Sequence, residues 1–332
     1  MKPIRLSGTV LAIGMALAVA IPAVAQSPDA SAGAESPAAE PSLNVGAAAG
    51  ANLLVNMKGP GGGNPFWAAV EAGATAAGQE YGVNVSVVSP PAESDVQAQI
   101  TQIEDAITQG VQGIALAPTD PVALAPAVDA AIAAGIPVVF IDTKGSNEGV
   151  TFIGTDNVQG AAIAAQYLCE NVAAGGKVAI LQGIITQSTG QARYEGAKAG
   201  VEACGLDLVA ELPGEWDTAV AQQATEDILS GNPDLAGIFA SNDNMALGAV
   251  EALRAQNLLD QVVVVGFDAN PNAADAILAG DMEATVAQAP SNMGKFGVES
   301  LIRLINGETL PPVIDTGTLL VTAENAADFA TQ

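Results

Sequence analysis

Asp142, Asn242, Asp268 and Gln288 each stand at or just after the end of a short apolar run, and Asn64, Phe66 and Trp67 follow another. Carboxylates accept hydrogen bonds from hydroxyls, amides accept and donate, and the Arg193 guanidinium adds donors in a fixed fork. Phe66, Trp67 and Trp216, the last in the segment GEWDTA, offer flat apolar faces. This mixture suits a neutral, polyhydroxylated small molecule. A plainer reading stands beside it, because a strand-end Asp or Asn is often only a helix N-cap. Capping is the expectation for Asp120, Asp156 and Asp243. Phe66 and Trp67 are either core or ligand faces. With aromatics at only 4 % of the chain, an adjacent pair beside a Gly-rich loop favours ligand faces. Asp142 and Asp268 could also form the acid/base pair of a carbohydrate-active enzyme. Hydroxyl binding explains them with fewer assumptions, so no enzyme is expected.

Composition removes other classes. The 332 residues include no histidine and two cysteines, so His-dependent nucleophile systems, His-ligated zinc and a Cys₄ zinc site are excluded. Ten basic against thirty-six acidic residues give a net charge of −26, which excludes phosphate-neutralising contact with nucleic acid. The loop Lys58-Gly59-Pro60-Gly61-Gly62-Gly63 matches neither phosphate-binding glycine pattern and reads as a flexible loop at the mouth of a site. No cofactor and no metal is expected.

The elements that must position these residues are legible as alternation. Apolar runs at Asn52–Met57, Val83–Val88, Gly113–Ala117, Ile136–Ile141, Val178–Leu181, Leu235–Ala240 and Val262–Val265 are continuous, as in parallel strands buried on both faces. Between two of them Val96, Ile100, Ile103 and Ile107 fall on one helical stripe. Asp120-Pro121 reads as an N-cap followed by proline at the first helical position. Strand and helix in alternation predict an α/β fold with doubly wound sheets, whose ligands bind at the carboxyl ends of the strands. GIALAPTD leading to FID and AGIFASND leading to GFD form a weak internal repeat, so two similar lobes are expected.

Residues 1–25 read as an export signal, with Lys2 and Arg5 before an apolar stretch and Ala23-Val24-Ala25 as the cleavage site. Retention of that stretch as an anchor is the alternative. Residues 26–50, rich in Ala, Ser, Pro and Glu, read as a flexible tether. Cys169 and Cys204 either pair in a disulfide, as export allows, or remain buried thiols.

NPFW at Asn64–Trp67, PTD at Pro118–Asp120, ARYEG around Arg193, SNDNMALGA at Ser241–Ala249, VVGFD ending at Asp268 and ATVAQ ending at Gln288 resemble the periplasmic sugar-binding proteins of the ribose-binding type. These are the type I solute-binding proteins of ABC importers. The resemblance spans Asn52 to about Val321. It implies two doubly wound parallel-sheet lobes joined by a three-crossing hinge, the first 51–155 plus 289–317 and the second 156–288 plus 318–332. It implies that Asn64, Asp142, Arg193, Asn242, Asp268 and Gln288 bind sugar hydroxyls while Phe66, Trp67 and Trp216 sandwich the ring. It further implies an exported monomer, outside the membrane in the periplasm or at the cell surface. Such a protein closes on a monosaccharide or polyol and docks on an ABC permease, or presents the sugar to a chemoreceptor. Two positions depart from the ribose pattern: Ala117 stands where Asn is expected, and Thr143 where Arg is expected. Both shorten hydrogen-bonding reach, so another pentose or a short polyol is expected. Lys58 either supplies part of the missing bonding or is a solvated loop lysine.

Overall fold

The computed structural model describes residues 43–331, so the expected signal and residues 26–42 of the tether lie outside the described residues. In chain order the elements are β1 (Asn52–Asn56), α1 (Pro65–Tyr81), β2 (Asn84–Val88), α2 (Val96–Gln109), β3 (Gly113–Leu116), α3 (Ala125–Ala133), β4 (Val138–Ile141), β5 (Phe152–Gly154), α4 (Asn157–Asn171) and β6 (Lys177–Gln182). They continue as α5 (Ser188–Ala203), β7 (Asp207–Pro213), α6 (Thr218–Gly231), β8 (Leu235–Ala240), α7 (Asp243–Gln256), β9 (Val263–Asp268), α8 (Pro271–Ala279), β10 (Ala284–Ala287), α9 (Pro290–Ile305), β11 (Val313–Asp315) and β12 (Leu319–Thr322).

Two six-stranded sheets result, ordered β11-β5-β4-β3-β1-β2 and β12-β10-β9-β8-β6-β7. The first is wholly parallel. In the second only β12 runs antiparallel, against β10. Its direction follows from the chain path. β11 ends at the carboxyl edge of the first sheet, and the short link Thr316–Thr318 enters the second sheet from its own carboxyl edge, so the strand must run downward. The backbone passes between the sheets at Thr155-Asp156, Gln288-Ala289 and Thr316–Thr318.

Each sheet is covered on both faces, which is why its inner strands are apolar without alternation. Leu53 and Val55 of β1 pack with Val70, Ala74, Val298 and Leu301 of α1 and α9, while Leu54 on the other face joins Ile103 of α2 and Val128 of α3. Gly294 lets α9 lie against α1, since a methyl group there would overlap the Val70 carbonyl. The second sheet is sandwiched the same way between α4 and α5 on one face and α6, α7 and α8 on the other. Cys169 of α4 and Cys204 at the end of α5 are joined in a disulfide, with Cα atoms 6.1 Å apart.

Three expectations need correction. Residues 43–50, expected to belong to the tether, are part of the folded first lobe. Leu43 and Val45 pack on the first lobe's core, and Asn306 Nδ2 donates to the Asn44 carbonyl at 2.7 Å. Asp120 does not cap α3. Its Oδ1 accepts from the Val122 and Ala123 amides in a separate turn, and the helix starts four residues after Pro121, at Ala125. Asp243 does not cap α7 either. Asn242 does so, and Asp243 is buried behind it, accepting from Thr285 Oγ1 and the Asn270 amide. Asp156 does cap α4, through the Gln159 amide.

Candidate functional site

The carboxyl edges of the two sheets face each other, and the loops leaving them enclose one cavity of about 20 Å³, room for roughly one water molecule. Asn64, Phe66, Trp67, Asp142, Arg193, Trp216, Asn242, Asp268 and Gln288 all line it, as does Lys58. Thr143 does not. It is fully buried behind Asp142 and reaches the cavity only through its partners.

Local structure places each group. Asn64 caps α1 through the Phe66 amide, and Pro65 occupies the first helical position, so Phe66 and Trp67 are fixed in the first turn. Their rings meet edge to face at 5.0 Å. Asn242 likewise caps α7 through the Met245 amide. Capping and lining the cavity are thus compatible for both asparagines. Asp142, Trp216 and Asp268 have φ of 57°, 64° and 123°, a region that L residues rarely occupy. Each costs of order 1–3 kcal/mol and persists where the surroundings over-determine it, a pattern that clusters at ligand clamps.

Arg193 is anchored three ways. Its Nε donates to Asn157 Oδ1 at 2.7 Å, Nη1 to the Ser241 carbonyl at 2.7 Å, and Nη1 also reaches Asp268 Oδ1 at 3.4 Å. Its guanidinium lies 3.9 Å over the Phe267 ring and 5.5 Å from Trp216. Gln288 Nε2 donates to the same Asp268 oxygen at 2.6 Å and is itself held by Thr155 Oγ1. Burial pushes the Asp268 carboxyl up to about 7 against the pull of Arg193 and Gln288. Burial also lowers Arg193 from its ordinary value, with Asp268 opposing.

Lys58 is not a solvated loop lysine. It is 4 % exposed, and its ammonium stands in the middle of the site. Nζ donates to Thr143 Oγ1 at 2.9 Å and Thr189 Oγ1 at 3.1 Å, and pairs with Asp142 Oδ2 at 3.1 Å. It also lies 5.2 Å from the Trp216 ring and 5.8 Å from that of Trp67. Thr189 comes from the other lobe, so Lys58 ties the lobes together.

Two lining residues were not anticipated, Glu93 and Thr189. Glu93 stands in the loop after β2, where the strand-end rule points, but Pro90-Pro91 obscures that strand's end. Thr189 stands in the first turn of α5, and its place in the site follows from lobe closure alone.

A family model described as "Periplasmic binding protein domain" matches residues 57–309. A D-ribose/D-allose-binding protein of Pseudomonas aeruginosa is 34 % identical over 273 residues, covering 78 % of this chain and 86 % of the relative. An ABC transporter periplasmic solute binding protein from Actinobacillus succinogenes, solved with bound D-allose, superimposes with TM-score 0.79 at 29 % identity, covering 84 % of this chain and 99 % of that one. A solute binding protein from Agrobacterium vitis, solved with bound D-fucose, gives TM-score 0.79 at 33 % identity, covering 82 % and 96 %.

Proposed function

The chain belongs to the periplasmic binding protein domain family, and from that premise we propose that it captures a monosaccharide or small polyol between its lobes and delivers it to an ABC transporter permease. The observation that carries this reading is convergence: hydrogen-bonding side chains and aromatic rings from both lobes surround one cavity at the strands' carboxyl ends.

In this reading Asn64, Asp142, Arg193, Asn242, Asp268 and Gln288 bind hydroxyls, and Phe66, Trp67 and Trp216 cover the apolar faces of the ring. Lys58 adds ammonium donors where Ala117 and Thr143 have shortened the reach. The cavity between the closed lobes is too small for a pyranose, so a ligand enters an open form. The lobes separate at the three backbone crossings, and closure buries the ligand. The protein acts as an exported monomer on the outer side of the membrane. It performs no chemistry on its ligand: the carboxylates are engaged by Arg193, Gln288, Lys58 and Thr143 as binding groups.

Titration calorimetry and thermal shift against D-ribose, D-allose, D-arabinose and C4–C6 polyols test the reading. A saturable ligand that raises Tm by mass action is the expected result. Binding confined to charged amino acids or metal ions would overturn it.

A further inference from the structure

Glu93 is placed in the site by the loop between β2 and α2. Its Oε1 accepts from Trp67 Nε1 at 2.8 Å. Its Oε2 is shielded from solvent and has no hydrogen-bond partner. The nearest cation is Lys58 Nζ at 3.8 Å, too far for a hydrogen bond. Lys58 instead donates to Thr143 and Thr189, and its charge lies closer to Asp142, at 3.1 Å. A shielded carboxylate oxygen left in this way costs free energy until something donates to it.

The backbone is built around this placement. A methyl group on Gly59 would stand 2.7 Å from Glu93 Oε1 and 2.8 Å from Trp67 Nε1. The glycine directly after Lys58 therefore allows the carboxylate and indole to tuck beneath the loop.

Resting on the sugar-binding reading, we propose that Glu93 is a specificity-determining residue whose Oε2 accepts a hydrogen bond from one ligand hydroxyl at the Lys58 end of the cavity. The ligand is then a polyol with a donor at that carbon, and its deoxy counterpart is rejected because the oxygen stays unpaired. Rejection of this kind is stronger than any gained from apolar fit alone. A residue that only steadied Trp67 through Oε1 would not discriminate between hydroxyl and hydrogen on the ligand.

Glu93→Gln separates the two roles. The amide oxygen can still accept from Trp67, while the free oxygen is replaced by a donor. The purified protein is titrated with D-ribose, D-allose, D-arabinose and C4–C6 polyols, and the tightest of these is followed through its complete set of monodeoxy analogues. Wild type is expected to lose about tenfold or more at one carbon. Glu93→Gln should bind the parent sugar about tenfold or more weaker and show less than about a threefold penalty at that carbon, with tryptophan fluorescence unchanged. Should Glu93→Gln fail to fold, Glu93→Asp, one methylene shorter, is expected to give the same collapse of the deoxy penalty. Parent-sugar affinity unchanged from wild type, or a deoxy penalty retained in full, overturns the proposal. Wild type that binds none of these sugars and polyols refutes the sugar reading itself, and the assignment of Glu93 falls with it.

Discussion

The Lys144 amide of the first lobe donates to Ser188 Oγ of the second at 2.8 Å, closing the lobes on each other beside the site. The residues on either side of Ser188 do the same. Gln187 Nε2 reaches the Glu93 carbonyl at 3.5 Å, and Thr189 Oγ1 accepts from Lys58 at 3.1 Å. Three consecutive residues at the start of α5 thus grip three loops of the facing lobe. Because Ser188 does not line the cavity, Ser188→Ala should leave ligand contacts intact and weaken closure. The expected result is an affinity lower by about threefold to tenfold, about one lost hydrogen bond. The loss should fall mainly on the dissociation rate, read by stopped-flow fluorescence. A slower association rate with unchanged dissociation would contradict the gripping role.

Burial raises the Asp268 carboxyl from its usual value of 3.8 to about 7. Between those values the folded protein holds a proton that the unfolded chain has released, so stability falls as pH rises through the window and is regained on acidification. Glu93 and Asp243 are also raised by burial and act with the same sign. Ligand-free protein should melt a few degrees higher at about pH 5.5 than at about pH 7.5. Asp268→Asn should flatten that slope by removing one of the three groups. A Tm that climbs with pH in wild type and variant alike would contradict the assignment.

Much of this architecture is legible before any coordinates. β1, β3, β4, β6, β8 and β9 stand out because helices cover both sheet faces, and the strand-end rule then collects Asp142, Asn242, Asp268 and Gln288. What is not legible has a physical cause in each case. β5 and β11 are three residues long, and Val313 of β11 is exposed. β7 is an edge strand with a mixed surface and no continuous apolar run. The inward turn of Lys58 depends on Thr189, 131 residues further along, so nothing local in the Gly-rich loop signals it.

The Cys169–Cys204 bond ties the two helices on one face of the second lobe across a separation of 35 residues. In the chain-entropy model a loop of this size contributes roughly 3–4 kcal/mol. Reduction, or the Cys169→Ser and Cys204→Ser pair, should lower the melting temperature of that lobe and leave sugar specificity unchanged, since neither sulfur lines the cavity. Thiol titration of the denatured, unreduced protein should find no free thiol. Two free thiols would remove this contribution entirely.

Lys58→Met should expose two opposed effects, and their sizes decide the outcome. Removing the ammonium frees space in a cavity of about 20 Å³, which favours a ligand. It also leaves Asp142 and Glu93 facing each other without their shared cation once the lobes close. Breaking a buried charge pair from one side typically costs about 3–5 kcal/mol. In the open form water solvates both carboxylates, so that cost falls on closure alone. The second effect is the larger, because a methionine of similar length refills much of the space released. Lys58→Met should therefore be more open than wild type without ligand, with a larger radius of gyration by small-angle scattering. It should bind the best sugar at least about tenfold more weakly, even after part of that cost is relieved by carboxylate protonation. Lowering the pH should recover part of the loss, because protonating either carboxylate removes the repulsion. An unchanged radius together with unchanged affinity would show that the ammonium contributes nothing to closure. Tightened binding would show that its main effect is to occupy the ligand's place.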